Sequence, residues 1–590
     1  MRSTLLALAL AGAAAWIVNR YAPWPAAEVG RGSEEPFVRG LFPREIPPGR
    51  GPQRWTGERA FAQFRNLPAG AAGLEVRLHG HQGAVAVAVD GVLVGRLEPG
   101  TTTARFALRP ATATVRQVEL KAETFLADDG RRLGALLDGI VWRHERSGWP
   151  RWGLILAFLG PVLAAVGAVR LAGLGPVWAL GLSTGAATLL LVALLPWGLV
   201  RSSYALSLPW LLGLGLLAAG WLARWTARRQ PGGAGWAMAA LCLAFLVQGV
   251  LATSPVMVVS DAVFHANNLD RVASGQLLLT SSTQHGRPFR IPYGVAFYAL
   301  LAPLQRLGGD GVTLVRWGAA ASALLACWGL LVLLLPQGAA RAGLAVISLQ
   351  LLPGVFDVYS FGNLSNVFGQ AMTVLFFVWW AGRGWGGWPV GAGLLALGCL
   401  SHFSSLIVLV VLSAALASAR GRTLGADRAR ATALAVGLGL AALYYAQFAG
   451  LMWSQLPRLL EGGGQGRGVS RSAWDVLRLQ GLSVLGQWGG PALLLAILGR
   501  PRPSLGWLER NLTAFWIAGG LLAAAAVVSP LDVRYLYALT PCVAVAAADG
   551  VVAGWSRGLP ARFAILVLGV VQLTMAGRAA LEALLVRYRT

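Results

Sequence analysis

The sequence predicts a mainly α-helical, polytopic membrane protein with about fifteen transmembrane helices and an N-terminal β-sandwich outside the membrane. Three observations predict it. Of the 590 residues, 56% are hydrophobic and only 13% charged, where soluble domains carry about 25% charged residues. The deficit is uneven: residues 26–150 are as polar as a soluble domain, and the rest is mostly apolar runs. Arginines recur in the short loops between those runs, the pattern that orients helices towards the cytoplasm.

A net charge of +24 would suit a nucleic-acid partner, but the placement of charge argues against one. Lys121 is the only lysine, and the arginines punctuate apolar segments. The expected partner is the lipid bilayer. Cys242, Cys327, Cys399 and Cys542 all fall inside apolar runs, too scattered for a disulfide framework or a metal cluster. They read as small buried hydrophobes.

Residues 1–20, with Arg2 ahead of an apolar stretch, read as a signal anchor and first transmembrane helix. Ala13-Ala14-Ala15 would permit cleavage, but Trp16 onward offers no clean mature start. Residues 26–146 form the next domain. Residues 74–78 and 84–89 alternate with period two, and Asp90-Gly91 is a hairpin signal. Further strands are expected over 104–108, 115–120 and 136–142, which suggests a jelly-roll-like antiparallel sandwich.

Residues 152–235 supply accessory transmembrane helices at about 152–171, 176–199 and 205–223. Residues 236–590 form the core, with spans expected at about 236–254, 312–335, 340–356, 366–382, 388–400, 403–419, 432–450, 486–499, 512–529, 535–553 and 562–583. Residues 293–307, bracketed by Pro292 and Pro303, read as a short interfacial helix on the outer surface. With the N-terminus inside, the basic loops at Arg224/Arg228/Arg229, Arg341, Arg383, Arg420/Arg422/Arg428/Arg430, Arg500/Arg502/Arg510 and Arg557/Arg562 all fall inside. Asp261, Asp270, Asp310, Asp357, Glu461, Asp475 and Asp532 all fall outside. Carboxylates at a membrane boundary are costly unless paired or functional, so an outward-opening site is expected.

Four stretches could carry it. Asp261 and His265 are four apart and share a helix face; the carboxylate could take a proton or bind a divalent cation. An Asp capping a short surface helix accounts for it equally well. Asp357 to Asn366 ends one helix and opens the next, with Asn363 or Ser365 a simple cap as the alternative. Leu400-Ser401-His402-Phe403-Ser404-Ser405 is a polar break between two short apolar runs, where a histidine also serves as a cap or packed neighbour. Asp532-Val533-Arg534-Tyr535 is either a boundary ion pair or an arginine poised for a lipid phosphate. The glycine-rich run at 462–468 lacks the Lys-Ser/Thr of a P-loop and reads as a loop.

In order and sidedness these stretches resemble the GT-C superfamily of polyprenyl-phosphate-dependent glycosyltransferases, over about residues 236–583. The resemblance implies a GT-C-like core with Asp261 as general base or metal ligand, and His265 and Asp357 as its polar partners. It implies substrate binding by Arg287, Arg290, Asn363, His402, Arg534 and Tyr535. Any metal, magnesium or manganese, would sit on Asp261 and Asp357, although the second outer loop carries fewer acids than oligosaccharyltransferases have. The resemblance further implies a sugar moved from a polyprenyl-phosphate donor to a glycan, lipid or protein acceptor on the outer face of the cytoplasmic membrane. A flippase of lipid-linked sugars, or a non-catalytic polysaccharide-assembly protein, are the alternatives.

Overall fold

The computed structural model describes residues 2–21, 26–29, 38–42, 45, 53–65, 72–108, 115–144, 152–194, 198–230, 232–253, 259–282, 290–360, 362–382, 386–420, 427–462, 485–498 and 532–581. The chain divides into two compact units, essentially Met1–Arg224 and then Trp225–Ala252 with Val258–Ala583.

The first unit holds helix α1 (Arg2–Tyr21), a sheet domain, α2 (Trp152–Leu171), α3 (Pro176–Leu194) and most of α4 (Gly198–Arg229). Helix α1 packs against α2 and α3, burying Ala7, Ala11, Ala14, Ala15 and Val18. That is one helical stripe, spaced by three or four residues.

The sheet domain departs from the expected sandwich. Its strands are β1 (Ala26–Glu28), β2 (Val38–Leu41), β3 (Arg54–Arg65), β4 (Ala72–Gly80), β5 (Val85–Val89), β6 (Val92–Leu97), β7 (Thr103–Leu108), β8 (Val115–Ala122), β9 (Phe125–Leu126), β10 (Arg132–Leu133) and β11 (Leu136–His144). Nine of them make one antiparallel sheet, ordered β6-β5-β8-β3-β11-β4-β7, with β1 on β11 and β2 on β3. The end strands meet, Phe106 of β7 lying over Gly95 of β6. A single sheet curled into a nearly closed barrel therefore replaces two stacked sheets. The physical reason lies in the core: Leu74, Val76, Leu78, Val85, Val87, Val89, Val118, Leu120, Phe64 and Trp142 are all buried. One inward-facing set of this size fills a small closed barrel without a second layer. The hairpin signal is realised as expected: Asp90 and Gly91 both take positive φ, 51° and 80°, between β5 and β6.

The second unit is helical, with α5 (Ala234–Thr253), α6 (Val259–Ala273), a hairpin of β12 (Leu279–Ser282) and β13 (Arg290–Tyr293), α7 (Ala296–Arg306) and α8 (Gly311–Leu334). There follow α9 (Ala339–Gln350), α10 (Pro353–Ser360), α11 (Leu364–Trp380), α12 (Trp388–Cys399), α13 (Phe403–Arg420), α14 (Arg428–Ala446), α15 (Ala449–Gly462), α16 (Gly490–Leu498), α17 (Asp532–Trp555) and α18 (Leu559–Leu581).

The expectation of about fifteen spans in a GT-C-like core is corrected here. Among the described residues, seven helices are long and apolar enough to cross a membrane, or eight if the α9–α10 pair, bent by 48°, counts as one span. The other apolar helices, such as Leu364–Trp380, Trp388–Cys399 and Phe403–Ser418, have 17 residues or fewer. A bilayer core needs about 20 residues at 1.5 Å each. The expected 340–356 span is bent at Leu351–Leu352, just ahead of Pro353, and the runs on either side of Ser401–His402 are separate short helices, so each piece falls short. The run at 512–529 lies outside the described residues. Helix α7, at 11 residues, is likewise too short to span.

The breaks are stitched by side chains from elsewhere. Gln572 of α18 donates to the Leu351 carbonyl at 2.8 Å, and its Oε1 accepts from Ala492 N of α16 at 3.2 Å. Gln370 of α11 donates to Thr540 Oγ1 of α17 at 2.8 Å. Gln248, Gln350 and Tyr359 form a buried chain across α5, α9 and α10. Freed backbone groups in an apolar surround need such partners.

Candidate functional site: a buried histidine and tyrosine cluster

A buried polar cluster of the second unit forms where the start of α11, the end of α12 and the start of α13 meet the middle of α6, the β12–β13 hairpin and α7. Helix α6 supplies His265. Its Nε2 lies 2.7 Å from the Gly362 carbonyl and its Nδ1 2.6 Å from the Tyr298 hydroxyl. A carbonyl only accepts, so Nε2 carries the proton and Nδ1 of the neutral ring accepts from Tyr298. Burial pushes the Tyr298 hydroxyl well above its usual pKa, and Tyr293 beside it adds to the rise. Tyr298 stays a protonated donor.

Gly362 can present that carbonyl because it turns out of α10 with φ of 65°. Gly362 N returns to the Tyr359 carbonyl and Asn363 N to that of Val358, a left-handed helix stop. Tyr293 is the hub. Its ring lies 6.4 Å from that of His265 and 5.1 Å from that of His402, edge-on to the latter. Its hydroxyl is 3.2 Å from Ser365 Oγ. The α12–α13 break delivers His402, whose Nδ1 accepts from Ser404 N at 3.1 Å. The Ser404 hydroxyl donates to Asn366 Oδ1 at 2.9 Å.

Close backbone approach lets these elements converge. The Ala296 N–H donates to the Leu400 carbonyl at 3.0 Å, docking α7 on the break. Gly294 makes room, since a Cβ there would strike the Leu400 and Ser401 carbonyl oxygens. From the far side, Tyr444 of α14 donates to the Tyr293 carbonyl at 2.8 Å. Gln455 of α15 accepts from Arg290 N at 2.7 Å and donates to Arg290 O at 2.9 Å, bonding to β13 as a neighbouring strand would.

Of the residues expected from the sequence, His265, the Gly362–Asn363 turn and His402 come together around Tyr293. Asn363 is buried at the start of α11 and makes no side-chain cap bond there. Asp261 sits one turn before His265 on α6, but its side chain lies outside the described residues, as do those of Arg534 and Tyr535 on the first turn of α17. Asp357 is half-buried on α10. Arg290 is exposed on β13 and joins the assembly only through its backbone. Arg287 lies outside the described residues.

For the metal expectation, no group of three or more His, Cys, Asp or Glu side chains comes together among the described residues. Both ring nitrogens of His265 are engaged in hydrogen bonds, so it is not placed as a ligand. Tyr293, Tyr298, Asn366, Ser404, Tyr444 and Gln455 are the cluster's other members. The two tyrosines on the hairpin and α7 carry no signal that separates them from apolar filling. Asn366 and Ser404 lay within the stretches already singled out. A cavity of about 310 Å³ is lined by Trp379, Gly386, Trp388, Asp427 and Arg430 at the opposite ends of α11 and α12. Its arginine is consumed by the Trp380 carbonyl and by Asp427.

Fold and cluster together define a chain with several helices able to cross a membrane, a barrel domain, and a buried polar site at one set of helix ends. The chain matches no protein-family model and no curated protein.

Proposed function

We propose that this chain is a membrane glycosyltransferase that moves a sugar from a polyprenyl phosphate to an acceptor hydroxyl at the outer face of the cytoplasmic membrane. One observation carries the reading: His265, the Gly362–Asn363 turn and His402, about 140 residues apart in sequence at the extremes, gather in one buried polar cluster where broken helices end. The order of those motifs, which resembles the GT-C superfamily, supports the same reading. So do the apolar helices, several of which are long enough to cross a membrane.

In the reaction, the acceptor oxygen attacks the anomeric carbon and the bond from that carbon to the phosphate oxygen breaks. The electron pair leaves with the lipid phosphate, and the acceptor proton passes to Asp261. Arg534, with Arg287 or Arg290, offsets the charge on the departing phosphate. Single displacement would invert the anomeric centre. His265 acts in this scheme by position, because both its nitrogens are engaged with Tyr298 and Gly362. It holds α6, and so Asp261, against the start of α11.

The test in cells is mass spectrometry of envelope glycans and lipid-linked sugars in a deletion strain. The reading predicts loss of one glycan linkage with accumulation of a polyprenyl-phosphate sugar. Unchanged glycans and lipid pools would count against it.

A further inference from the structure

Helix α17 carries a proline in its interior. Pro541 has no N–H to give the Tyr537 carbonyl one turn back, and its ring crowds that oxygen. In an apolar surround the freed carbonyl needs another donor. Gln370 of α11 supplies it: Nε2 donates to Tyr537 O at 2.5 Å and to Thr540 Oγ1 at 2.8 Å. The Thr540 hydroxyl donates to Tyr537 O at 2.7 Å. A carbonyl only accepts, so the Gln370 amide faces Tyr537 in one orientation alone. Gln370, Tyr537 and Thr540 are all buried. Where an unbroken helix would use its own backbone, α17 is bonded at this joint by a side chain of another helix.

The segment before the joint is short. Asp532 to Leu536 make little more than one turn, and Arg534 and Tyr535 ride on it. Asp549 of α17 pairs with Arg341 at the start of α9, and α9 and α10 lead away from there to the Gly362 turn that opens α11. The first turns of α11 and α17 therefore lie at the same end of the unit. Asn366, one turn before Gln370 on α11, is hydrogen-bonded to Ser404 of α13. One helix thus holds the α12–α13 break with one residue and α17 with the next residue of the same face.

We propose that Gln370 is a positioning residue: through the carbonyl that Pro541 frees, it sets where the first turn of α17, with Arg534 and Tyr535, stands beside the start of α11. What that place does for sugar transfer rests on the glycosyltransferase reading; the place itself does not.

The test uses the full chain in proteoliposomes, with its four native cysteines replaced and nitroxide labels on cysteines introduced at Val533, in the first turn of α17, and at the exposed Leu307 beyond α7. Double electron–electron resonance gives the distance between the labels in the otherwise unchanged chain, Gln370→Leu, Pro541→Ala and the double variant. Gln370→Leu leaves the Thr540 hydroxyl on Tyr537 O, and thermal unfolding checks that the fold is kept. A bend of about 20° on a lever of about 10 Å moves the first turn by about 4 Å, so in Gln370→Leu the distance shifts or spreads by that amount. Pro541→Ala returns a backbone N–H to Tyr537 O, and in that background Gln370→Leu moves nothing further. Sugar transfer by the unlabelled chains follows the distances: kcat falls about tenfold in Gln370→Leu with the acceptor KM unchanged. A distance unmoved by Gln370→Leu overturns the proposal, as does an equal movement in the Pro541→Ala background. A moved turn with kcat unchanged overturns it as well, because the reaction then uses nothing the turn carries. Absence of transfer by the wild type sinks the enzyme reading alone, and the distances still decide whether Gln370 sets the turn.

Discussion

Gly294 has the least latitude of any residue near the cluster. A Cβ there would meet two carbonyl oxygens of the α12–α13 break, and backbone cannot swing aside as a side chain can. Gly294→Ala should therefore destabilise by about 2 kcal/mol or more and displace α7. Gly439→Ala, on α14 with nothing within 4 Å of the new methyl, should stabilise by up to about 1 kcal/mol. Thermal unfolding of both variants in detergent separates close approach from mere helix propensity. His265→Phe would remove the acceptor of the buried Tyr298 hydroxyl and one of two donors to the Gly362 carbonyl, which keeps the Leu364 N–H. Its expected cost is about 1–3 kcal/mol, read in the same melts. His265 and His402 stood out in the sequence because ionisable residues are rare in apolar runs. Tyr293 and Tyr298 did not, because an aromatic ring in such a run looks the same whether it packs or hydrogen-bonds.

At the level of elements, composition located the helices well and their lengths poorly. Helices α2, α5, α8 and α18 lie close to where apolar runs begin and end. The α9–α10 and α12–α13 breaks are made by a few backbone groups whose partners are distant, such as Gln572 for Leu351. No local pattern reveals that partner. Gln572→Leu should cost about 1–3 kcal/mol by stranding the Leu351 carbonyl and Ala492 N–H, checked by thermal unfolding. In the barrel, period-two alternation marked β4 and β5, but β3, the longest strand at 12 residues, mixes Gly and charge and shows no clear period. Whether strands close on themselves or stack in two layers depends on pairings such as β3 with β11, which alternation does not encode. Helix α8 offers a pH test. The Thr313 hydroxyl and N–H hold the Asp310 carboxyl below its ordinary pKa of 3.8. A depressed carboxylate stabilises the fold above its unfolded pKa and loses that contribution as pH falls through the folded one. Asp310→Ala should thus lower stability by about 1 kcal/mol near neutrality, and the difference from wild type should shrink below about pH 4.

At the scale of the molecule, the membrane character was plain from charge and hydropathy, and among the described residues seven helices meet the length it requires. The site was legible only as an order of polar interruptions; which of them touch is decided by packing between segments far apart in sequence. Around Tyr293, the ends of α11, α12, α13 and α14 meet the middle of α6, and Arg430 with Asp427 lies at the other ends of α11 and α12. That arrangement is what the proposed sugar transfer needs, and in that proposal Asp261 is the residue on which the chemistry turns. The direct measurement is sugar transfer by proteoliposomes of the purified chain, supplied with lipid-linked sugars extracted from the envelope and with acceptor glycans. The account predicts transfer by the wild type and a loss of at least about a hundredfold in Asp261→Asn, with the variant's melting temperature unchanged. Full activity in Asp261→Asn, or movement of the donor between leaflets with no transfer by the wild type, would contradict it.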